Sequence, residues 1–586
     1  MKYSANKETK SWVFSQPRLG GVLIASIMAT LLLASPLAAK QNTNKADGTL
    51  TSRLYKWPSS YNALTSSDGY IRWVAGFVHA SLLNESQETN EVIPYLAHKW
   101  ESSEDLTTFT FELNKKATFG SGNPVTAEDV KFTFDLIYDR ARCLLCESTR
   151  NSLGPMKKVE AVNQHKVIIQ LANTHFYNLR KLGSIPIIEK KMFASGDFNK
   201  DFNKTIKGAG PYLFDEKGTV YKSKFVLTRR DDFWLDSAPY YKDRYHFKKL
   251  VFKLLPDATA AFEAFKRGDL DYFYFDNDAI KFWDSKQSKI FKNPNVVKFE
   301  FMRTRPYLYD HILFNMREGV GKDKEFRQAI SHLVNRDVIL KKIYNSHYKG
   351  IAGPFPPGSP YSAQLTTLEY NPKKAVELLK QAGYTQVGSD GILYKTVQDK
   401  DGKEKVQRAS LQILHWKTAY EPWLTILIED AKKVGVEIKQ RILELSSVVK
   451  NMDEHKFSAV SFAWVTDIIP LPRQLWHSEG ANKQGSSNYG GLADPSLDKL
   501  IEQATATKDE KKRISLFHEI EKKIVSHFPY VFLWSQKSHL VVYWKNKLDP
   551  TKTPTYQFSG DYMTHPFYLH WRSVSKKVEQ KKKDTP

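Results

Sequence analysis

Apolar residues recur at helical spacing in several segments of the chain, and most of these segments begin at a residue that caps helices. After Thr126, the side chains of Val130 and Phe134 share one face of a predicted helix. Thr126 and Asp129 together resemble a capping box. Equivalent patterns predict further helices within 257–267, 326–334, 371–382, 421–434 and 494–504.

Short runs of apolar or alternating residues lie between these helices and predict β-strands. They lie at 224–229, 249–255, 411–416, 436–438 and 457–464. An alternation of strands and helices is typical of α/β domains with mainly parallel or mixed sheets. A chain of 586 residues suggests three or four folding units at roughly 100–200 residues each. Its 41% hydrophobic and 13% aromatic content supplies enough apolar material for large cores.

The pattern of residues 1–39 is typical of an export signal. Lys2 to Arg18 form a positive start, Val22 to Leu33 form an apolar run, and Ser35 to Ala39 form a small-residue exit. The run is shorter than the ~20 residues that a membrane-spanning helix needs, and an uncleaved N-terminal anchor is the alternative. No cysteine follows the run, which disfavours a lipid-anchored lipoprotein. We therefore expect an exported protein.

The formal net charge of +23 is spread thinly, apart from basic ends. A diffuse positive excess favours solubility and attraction to anionic surfaces, and it argues against a nucleic-acid groove. Residues 573–586 form a basic tail that we expect to be disordered, with contact to anionic lipid as the alternative. Any membrane contact of this chain should then be peripheral.

Motifs that carry catalysis or bind cofactors are missing from the sequence. There is no G-x-S-x-G, H-E-x-x-H, P-loop or glycine-rich dinucleotide turn, and the histidines form no metal-ligand pattern. Residues 399–402 (D-K-D-G) predict a hairpin turn and not a calcium loop. Cys143 and Cys146 are predicted to form a local disulfide; two reduced thiols, or a redox or metal role, are the alternatives. We expect no catalytic residue, no resident metal and no cofactor.

Several motifs, in a fixed order, resemble those of one protein family. Residues 117–130 (A-T-F-G-S-G-N-P-V-T-A-E-D-V) resemble the F-x-D-G-x-P-V-T-A-E-D-V signature of the family 5 extracellular solute-binding proteins. These are the peptide- and nickel-binding components of ABC importers. Further segments that resemble the family in order and spacing lie at 208–212, 257–271, 314–337, 370–384 and 487–498. Residues 271–273 and 485–491 resemble the YejA-type, peptide-handling branch.

The resemblance implies a two-lobe α/β periplasmic-binding-protein fold of type II, with an extra small domain and the ligand enclosed between the lobes. By analogy, lobe I comprises 49–92, 207–300 and 541–572, the extra small domain comprises 93–206, and lobe II comprises 301–540. Hinge closure on the ligand suits this architecture. The implied protein is a monomer that delivers peptides or peptide-like solutes to membrane permease subunits driven by a separate ATPase, and it is not an enzyme.

The resemblance also implies ligand-binding residues. Peptide-binding relatives grip the ligand amine with the acid of a W-x-x-D turn, and Trp464 and Asp467 match that turn. We expect Arg473 to bind a ligand carboxylate and Trp416 to line the cleft. As alternatives, Asp467 is a solvated turn residue, Arg473 is a surface arginine, and the tryptophans pack in the core. Further candidates are Asn488 and Tyr489, from the N-Y match, and Arg305 and Tyr309, at the expected crossing between lobes.

Other functions remain open at this point. The same fold binds nickel–chelator complexes or opine-like solutes in some relatives. A periplasmic peptidase would need a nucleophile or metal constellation, which the sequence lacks. An envelope chaperone or sensor subunit could use the same cleft without supporting uptake.

The Asp467 hypothesis makes a quantitative prediction. If Asp467 grips the ligand amine, Asp467→Ala and N-terminal acetylation of the ligand should each weaken binding by roughly 30-fold or more, since each removes one partner of a buried charge pair. Together they should weaken binding little more than either change alone. Calorimetric titration of the four combinations measures this. Additive losses, or normal binding by Asp467→Ala, would place the anchor elsewhere.

Overall fold

The computed structural model describes residues 47–574, apart from 59–60, 63, 65–75, 87–88, 90, 199–206, 276–278, 286–287, 303–306, 399–400, 467–468 and 551–570. The predicted signal, nearly all of the predicted basic tail, and two candidate site residues, Arg305 and Asp467, lie outside these residues. Within the described part of the chain, no helix has the length and apolarity to cross a bilayer.

Strands and helices alternate along the described chain, as the sequence predicts. The strands are β1 (Asp47–Leu54), β2 (Leu83–Glu85), β3 (Val92–Pro94), β4 (Ala97–Ser102), β5 (Thr108–Leu113), β6 (Met156–Asn163), β7 (Lys166–Leu171), β8 (Tyr212–Phe214), β9 (Lys224–Arg229), β10 (Phe247–Leu254), β11 (Tyr272–Tyr274), β12 (Val296–Met302), β13 (Tyr307–Phe314), β14 (Tyr348–Gly350), β15 (Gln386–Val387), β16 (Leu393–Gln398), β17 (Glu404–Arg408), β18 (Ser410–His415), β19 (Glu437–Ile442), β20 (Ala459–Thr466), β21 (Tyr530–Phe532), β22 (Trp534–Gln536), β23 (Ser538–Trp544), β24 (Leu548–Asp549) and β25 (Arg572–Ser573). The α-helices are α1 (Ala127–Tyr138), α2 (Glu147–Leu153), α3 (Asn178–Gly183), α4 (Lys190–Phe193), α5 (Ala258–Lys266), α6 (Ile280–Trp283), α7 (Lys324–Leu333), α8 (Arg336–Lys342), α9 (Pro372–Gln381), α10 (Glu421–Lys433), α11 (Leu445–Asp453), α12 (Arg473–Trp476), α13 (Pro495–Ala506) and α14 (Glu510–Ser526).

The predicted elements are present with small differences at their ends. The six predicted helices are α1, α5, α7, α9, α10 and α13, and the five predicted strands are β9, β10, β18, β19 and β20. The capping box before α1 forms, because the Asp129 carboxylate accepts hydrogen bonds from the backbone N–H and the hydroxyl of Thr126, at 2.9 and 2.7 Å. The strands β16 and β17, which flank the predicted turn at 399–402, pair antiparallel, and residues 399 and 400 of that turn lie outside the described residues.

Two sheets in the first half of the chain place distant segments side by side. One has the order β1-β10-β9-β8, and its β1 pairs in parallel with β10, about two hundred residues later. The other is the antiparallel sheet β4-β5-β7-β6, which lies within the predicted small domain. One apolar core runs through both sheets. The chain thus inserts the small domain between strands of one sheet.

A five-stranded mixed sheet organises the second half of the chain. Its order is β19-β18-β20-β13-β21, with β18 parallel to β19 and β20, and β13 antiparallel to β20 and β21. α10 connects β18 to β19, as expected for a parallel crossover. Separate apolar cores cover the two faces of this sheet. The structure is therefore an α/β fold of two lobes with a small extra domain.

The chain passes between the lobes in two places. β12 belongs to the sheet β11-β23-β12, whereas β13, which begins five residues after β12 ends, lies in the five-stranded sheet. The return occurs between β22 and β23, since β23 pairs with β11 and β12 from Ser538 onward. The lobe boundaries predicted from the sequence stay a prediction.

Cys143 and Cys146 form a disulfide just beyond α1, with Cα atoms 5.4 Å apart. Both side chains are buried. The bond closes a loop of only four residues, so it constrains the unfolded chain weakly.

We expect the double variant Cys143→Ser/Cys146→Ser to fold and to bind its ligand normally. The loss should be at most about 2 kcal/mol in the free energy of unfolding, because a short closed loop removes little chain entropy. Urea unfolding and ligand titration measure both quantities. A folded double variant that no longer binds would show that the disulfide supports the binding site.

Candidate functional site

A continuous row of half-buried aromatic side chains lies along the C-terminal half of β20. We call Trp416, Phe462, Trp464 and Tyr489 the aromatic strip. Successive ring centroids are 4.8, 5.5 and 6.0 Å apart. The rings of Trp464 and Tyr489 are nearly parallel, at 8°. Each of the four rings is partly exposed, so the strip presents an apolar wall to solvent.

The strip lies where one edge of β20 runs past its neighbour. β18 pairs with β20 only at Ile413–Ala459 and Leu414–Val460, and β18 ends at His415. β20 continues to Thr466 and pairs with β13 over its full length on the other side. The edge of β20 from Phe462 to Thr466 therefore extends beyond β18, and Val465 is 58% exposed. An uncovered strand edge presents backbone donors and acceptors to an extended ligand.

Buried aromatic side chains on the neighbouring strands β13 and β21 pack against the strip. The imidazole of His311 stacks on Tyr530 at 4.4 Å and lies parallel to Trp464 at 6.4 Å. The Trp464 indole N–H donates a hydrogen bond to the Tyr530 hydroxyl at 3.3 Å. Burial lowers the pKa of His311 to about 3, so this imidazole is neutral at physiological pH. The support is a rigid, uncharged stack.

The two ends of the strip carry opposite charges. At one end, burial, followed by the charge of Asp453 and a hydrogen bond to it, raises the pKa of Tyr489 to about 12. At the other end, the Lys417 ammonium lies 5.6 Å from the centroid of the Trp416 ring. A zwitterionic ligand along the strip would meet a carboxylate at one end and an ammonium at the other.

Asn488 has a different role from Tyr489, its neighbour in the N-Y motif. Its side-chain amide nitrogen donates to the carbonyls of His477 and Leu492, at 3.1 and 2.8 Å. Its amide oxygen accepts from the N–H groups of Gly491 and Leu492, at 3.2 and 3.1 Å. All four hydrogen-bonding positions of this buried amide are thereby occupied. Asn488 shapes the loop that presents Tyr489 and has no group left to offer a ligand.

Two further candidates lie away from the exposed face of the strip. Arg473, the first residue of α12, forms an ion pair with Glu479 at 2.6 Å, and its charge acts on His175 of the small domain. Its guanidinium is thus engaged on the surface of lobe II near the small domain. Tyr309 is 1% exposed and packs against His311. Its side chain is part of the apolar core and not of the aromatic strip.

The structure adds two residues that the sequence analysis did not select, Phe462 and Lys417. Phe462 lies two residues before Trp464, on the same face of β20, so strand periodicity alone could have identified it. Lys417 directly follows the predicted strand and Trp416. Its position over an aromatic ring depends on the turn after β18, for which the sequence gives no signal.

The chemistry of this arrangement is binding. Within the described ranges, no group of three or more His, Cys, Asp or Glu side chains could hold a metal ion. The strip offers apolar stacking, a strand edge and separated charges, each of which holds a ligand without reacting with it.

Comparisons with known proteins agree with this description. The profile of the "Bacterial extracellular solute-binding proteins, family 5 Middle" matches residues 91–486. The oligopeptide-binding protein AppA of Bacillus subtilis is 27% identical over 503 residues, which are 83% of this chain and 86% of AppA. The nickel-binding periplasmic protein of Escherichia coli is 24% identical over 445 residues, 74% of this chain and 79% of that protein.

Solved structures show the same fold. The structure of B. subtilis AppA in complex with a nonapeptide superposes with a TM-score of 0.71 at 24% identity, covering 91% of this chain and all of that one. The chain belongs to the family 5 extracellular solute-binding proteins, which confirms the resemblance found in the sequence. It is a substrate-binding protein of an ABC importer and not an enzyme. The YejA-type branch stays a prediction.

The role of Asn488 can be measured. Asn488→Ala should lower the free energy of unfolding by about 1–3 kcal/mol, because buried backbone groups lose their partners. Asn451→Ala is a matched control, since the Asn451 side chain makes an exposed hydrogen bond to the Ser447 carbonyl on α11. Thermal and urea unfolding report the difference. Equal stability of both variants would contradict the assignment.

Proposed function

We propose that this protein captures peptides with free termini, bound as an extended strand along β20 in the cleft between the lobes, and delivers them to membrane permease subunits driven by a separate ATPase. The observation that carries the proposal is the uncovered edge of β20 beside the aromatic strip. A strand edge recognises a peptide backbone whatever its side chains.

The aromatic strip is the proposed contact surface for side chains of the bound peptide. Successive side chains of a strand point to opposite faces, so alternate side chains of a bound peptide would lie against the strip. Flat, half-buried rings accept apolar side chains of many shapes by stacking and van der Waals contact. The proposal therefore favours peptides that carry aliphatic or aromatic residues.

Charge at the two ends of the strip supports binding in one direction. Asp467, the residue after Thr466 in the sequence, is the proposed partner of the ligand amine, and Asp453 beside Tyr489 supplies negative charge at one end of the strip. Lys417, and not Arg473, is the proposed partner of a ligand carboxylate, because Arg473 already pairs with Glu479. Charged groups of this kind set orientation and specificity more than affinity.

Nickel–chelate capture is the second candidate, and it rests on the similarity to the nickel-binding protein of E. coli. The uncovered strand edge has no role in holding a compact chelate. Peptide capture explains the strand edge, the strip and the separated charges together. A monomer working in the bacterial periplasm completes the proposal.

Calorimetric titration with a pool of short peptides, and separately with nickel–histidine, tests the proposal. We expect heat with the peptides, none with nickel–histidine, and a dissociation constant for a purified peptide at least about 30-fold weaker in Trp464→Ala, since this change removes a central aromatic contact. Tyr221→Ala, which removes a 71% exposed ring, is the control. Binding of nickel–histidine alone would favour the second candidate. Unchanged affinity in Trp464→Ala would move the site elsewhere.

A further inference from the structure

The loop between β7 and α3 carries an aromatic residue from the small domain onto lobe II. Its shape is fixed within the small domain: the Asn178 side chain donates to the carbonyls of Leu106 and Asn173, at 3.0 and 2.9 Å. The Tyr177 N–H donates to the His175 imidazole at 3.0 Å. The loop therefore projects as a pre-formed element, which costs little entropy when it docks.

Phe176 makes the contact. Its backbone N–H donates to the Thr505 carbonyl, in the last turn of α13, at 3.2 Å. Its ring meets the ring of Phe517 of α14 edge to face, with centroids 6.2 Å apart. The guanidinium carbon of Arg513 lies 4.6 Å from the centroid of the Phe176 ring. Phe176 thus packs against the apolar core of lobe II although it belongs to the small domain.

The receiving surface is built by lobe II alone. Phe517 is fully buried and packs against Phe355 and Tyr361, at 5.8 and 5.1 Å. Arg513 is 9% exposed, and it donates to the carbonyls of Thr507 and Lys508, at 3.0 and 3.1 Å. These bonds hold the guanidinium where it covers the Phe176 ring. A cation fixed over an aromatic face stabilises the pair.

The size of the contact indicates that it can open. Phe176 contributes one ring and one backbone hydrogen bond, and the charge of Arg473 acts on the neighbouring His175, whereas a permanent domain interface typically buries several hundred Å² on each side. Among the residues that the structure describes, the chain passes from one side to the other next to β13 and next to β23. Opening at those crossings would separate Phe176 from α13 and α14.

We propose that Phe176 is a latch between the small domain and lobe II, which stabilises the closed conformation and so sets the affinity for every ligand. Phe176 is a positioning residue in this scheme and touches no ligand. The apparent affinity of a protein that must close on its ligand scales with the stability of the closed form. This inference rests on closure of the cleft in the proposed function.

The test compares Phe176→Ala, Phe176→Leu and the control Tyr221→Ala with the wild-type protein. Small-angle scattering gives the radius of gyration, and hydrogen exchange followed by mass spectrometry reports the amides of 173–177, without ligand and with peptide. Titration with two peptides of different side chains, each first shown to bind the wild-type protein, gives affinities. Thermal unfolding identifies any variant that is simply destabilised, in which case Phe176→Leu replaces Phe176→Ala.

We expect Phe176→Ala to shift the closed-to-open ratio about tenfold toward open, which is a change of about 1.4 kcal/mol. The radius of gyration should rise, the loop amides should exchange faster, and affinity for both peptides should fall by the same factor. Phe176→Leu should fall between wild type and Phe176→Ala, and Tyr221→Ala should match the wild type.

Two results would overturn the latch. The first is unchanged scattering, exchange and affinity in a Phe176→Ala protein that melts at the wild-type temperature. The second is a loss of affinity confined to one peptide, which would make Phe176 a ligand contact. If the wild-type protein binds no peptide, the proposed function fails, while scattering and exchange of the ligand-free proteins still decide on the latch.

Discussion

The pairing of β13 with β20 is the interaction on which the aromatic strip depends. Eight residue pairs, from Tyr307–Thr466 to Phe314–Ala459, fix the register of these two antiparallel strands. Because side chains alternate along a strand, a slip by one residue would turn Phe462 and Trp464 to the opposite face. In the observed register, Tyr309 lies opposite Trp464, so a buried ring and a half-buried ring share one face of the sheet.

The buried imidazole of His311 packs against the aromatic strip and is uncharged. A charged imidazole among aromatic rings would be costly, and the lowered pKa of His311 shows that burial favours the neutral form. A neutral imidazole can stack on both Trp464 and Tyr530 without needing a counter-ion. The aromatic strip therefore consists of half-buried rings packed against buried rings.

Arg317, together with Asn488, holds the loop that carries Tyr489. Arg317 donates hydrogen bonds to the carbonyls of Ala481 and Tyr489, at 2.9 and 2.8 Å. A side chain at Gly491, where φ is +77°, would strike Arg317, because an ideal Cβ there lies 2.8 Å from the guanidinium carbon. Glycine is thus required beside Arg317, and the two residues together fix the end of the aromatic strip.

Local patterns in the sequence determined much of the fold. Caps and apolar stripes identified six helices, alternation identified five strands, and the ordered motifs identified the family, because each of these features depends on residues that are neighbours in the chain. The sequence also placed Trp416, Trp464 and Tyr489 in the candidate site. The antiparallel sheet of the small domain was not predicted strand by strand, although β5 (T-F-T-F-E-L) alternates buried and half-buried residues along its whole length.

Contacts between residues that are far apart in the sequence decided the roles of the remaining residues. Whether Asn488 binds a ligand or shapes a loop depends on backbone groups of His477 and Leu492, and the motif alone gives the same signal in both cases. The contact of Phe176 with Phe517 joins residues more than 300 positions apart. No local pattern encodes such a pairing, because it forms only when the lobes are placed against each other by the chain crossings between them. The sequence by itself thus determined the elements and the class of protein, and the tertiary structure decided which side chains form the aromatic strip, which pack against it and which join the domains.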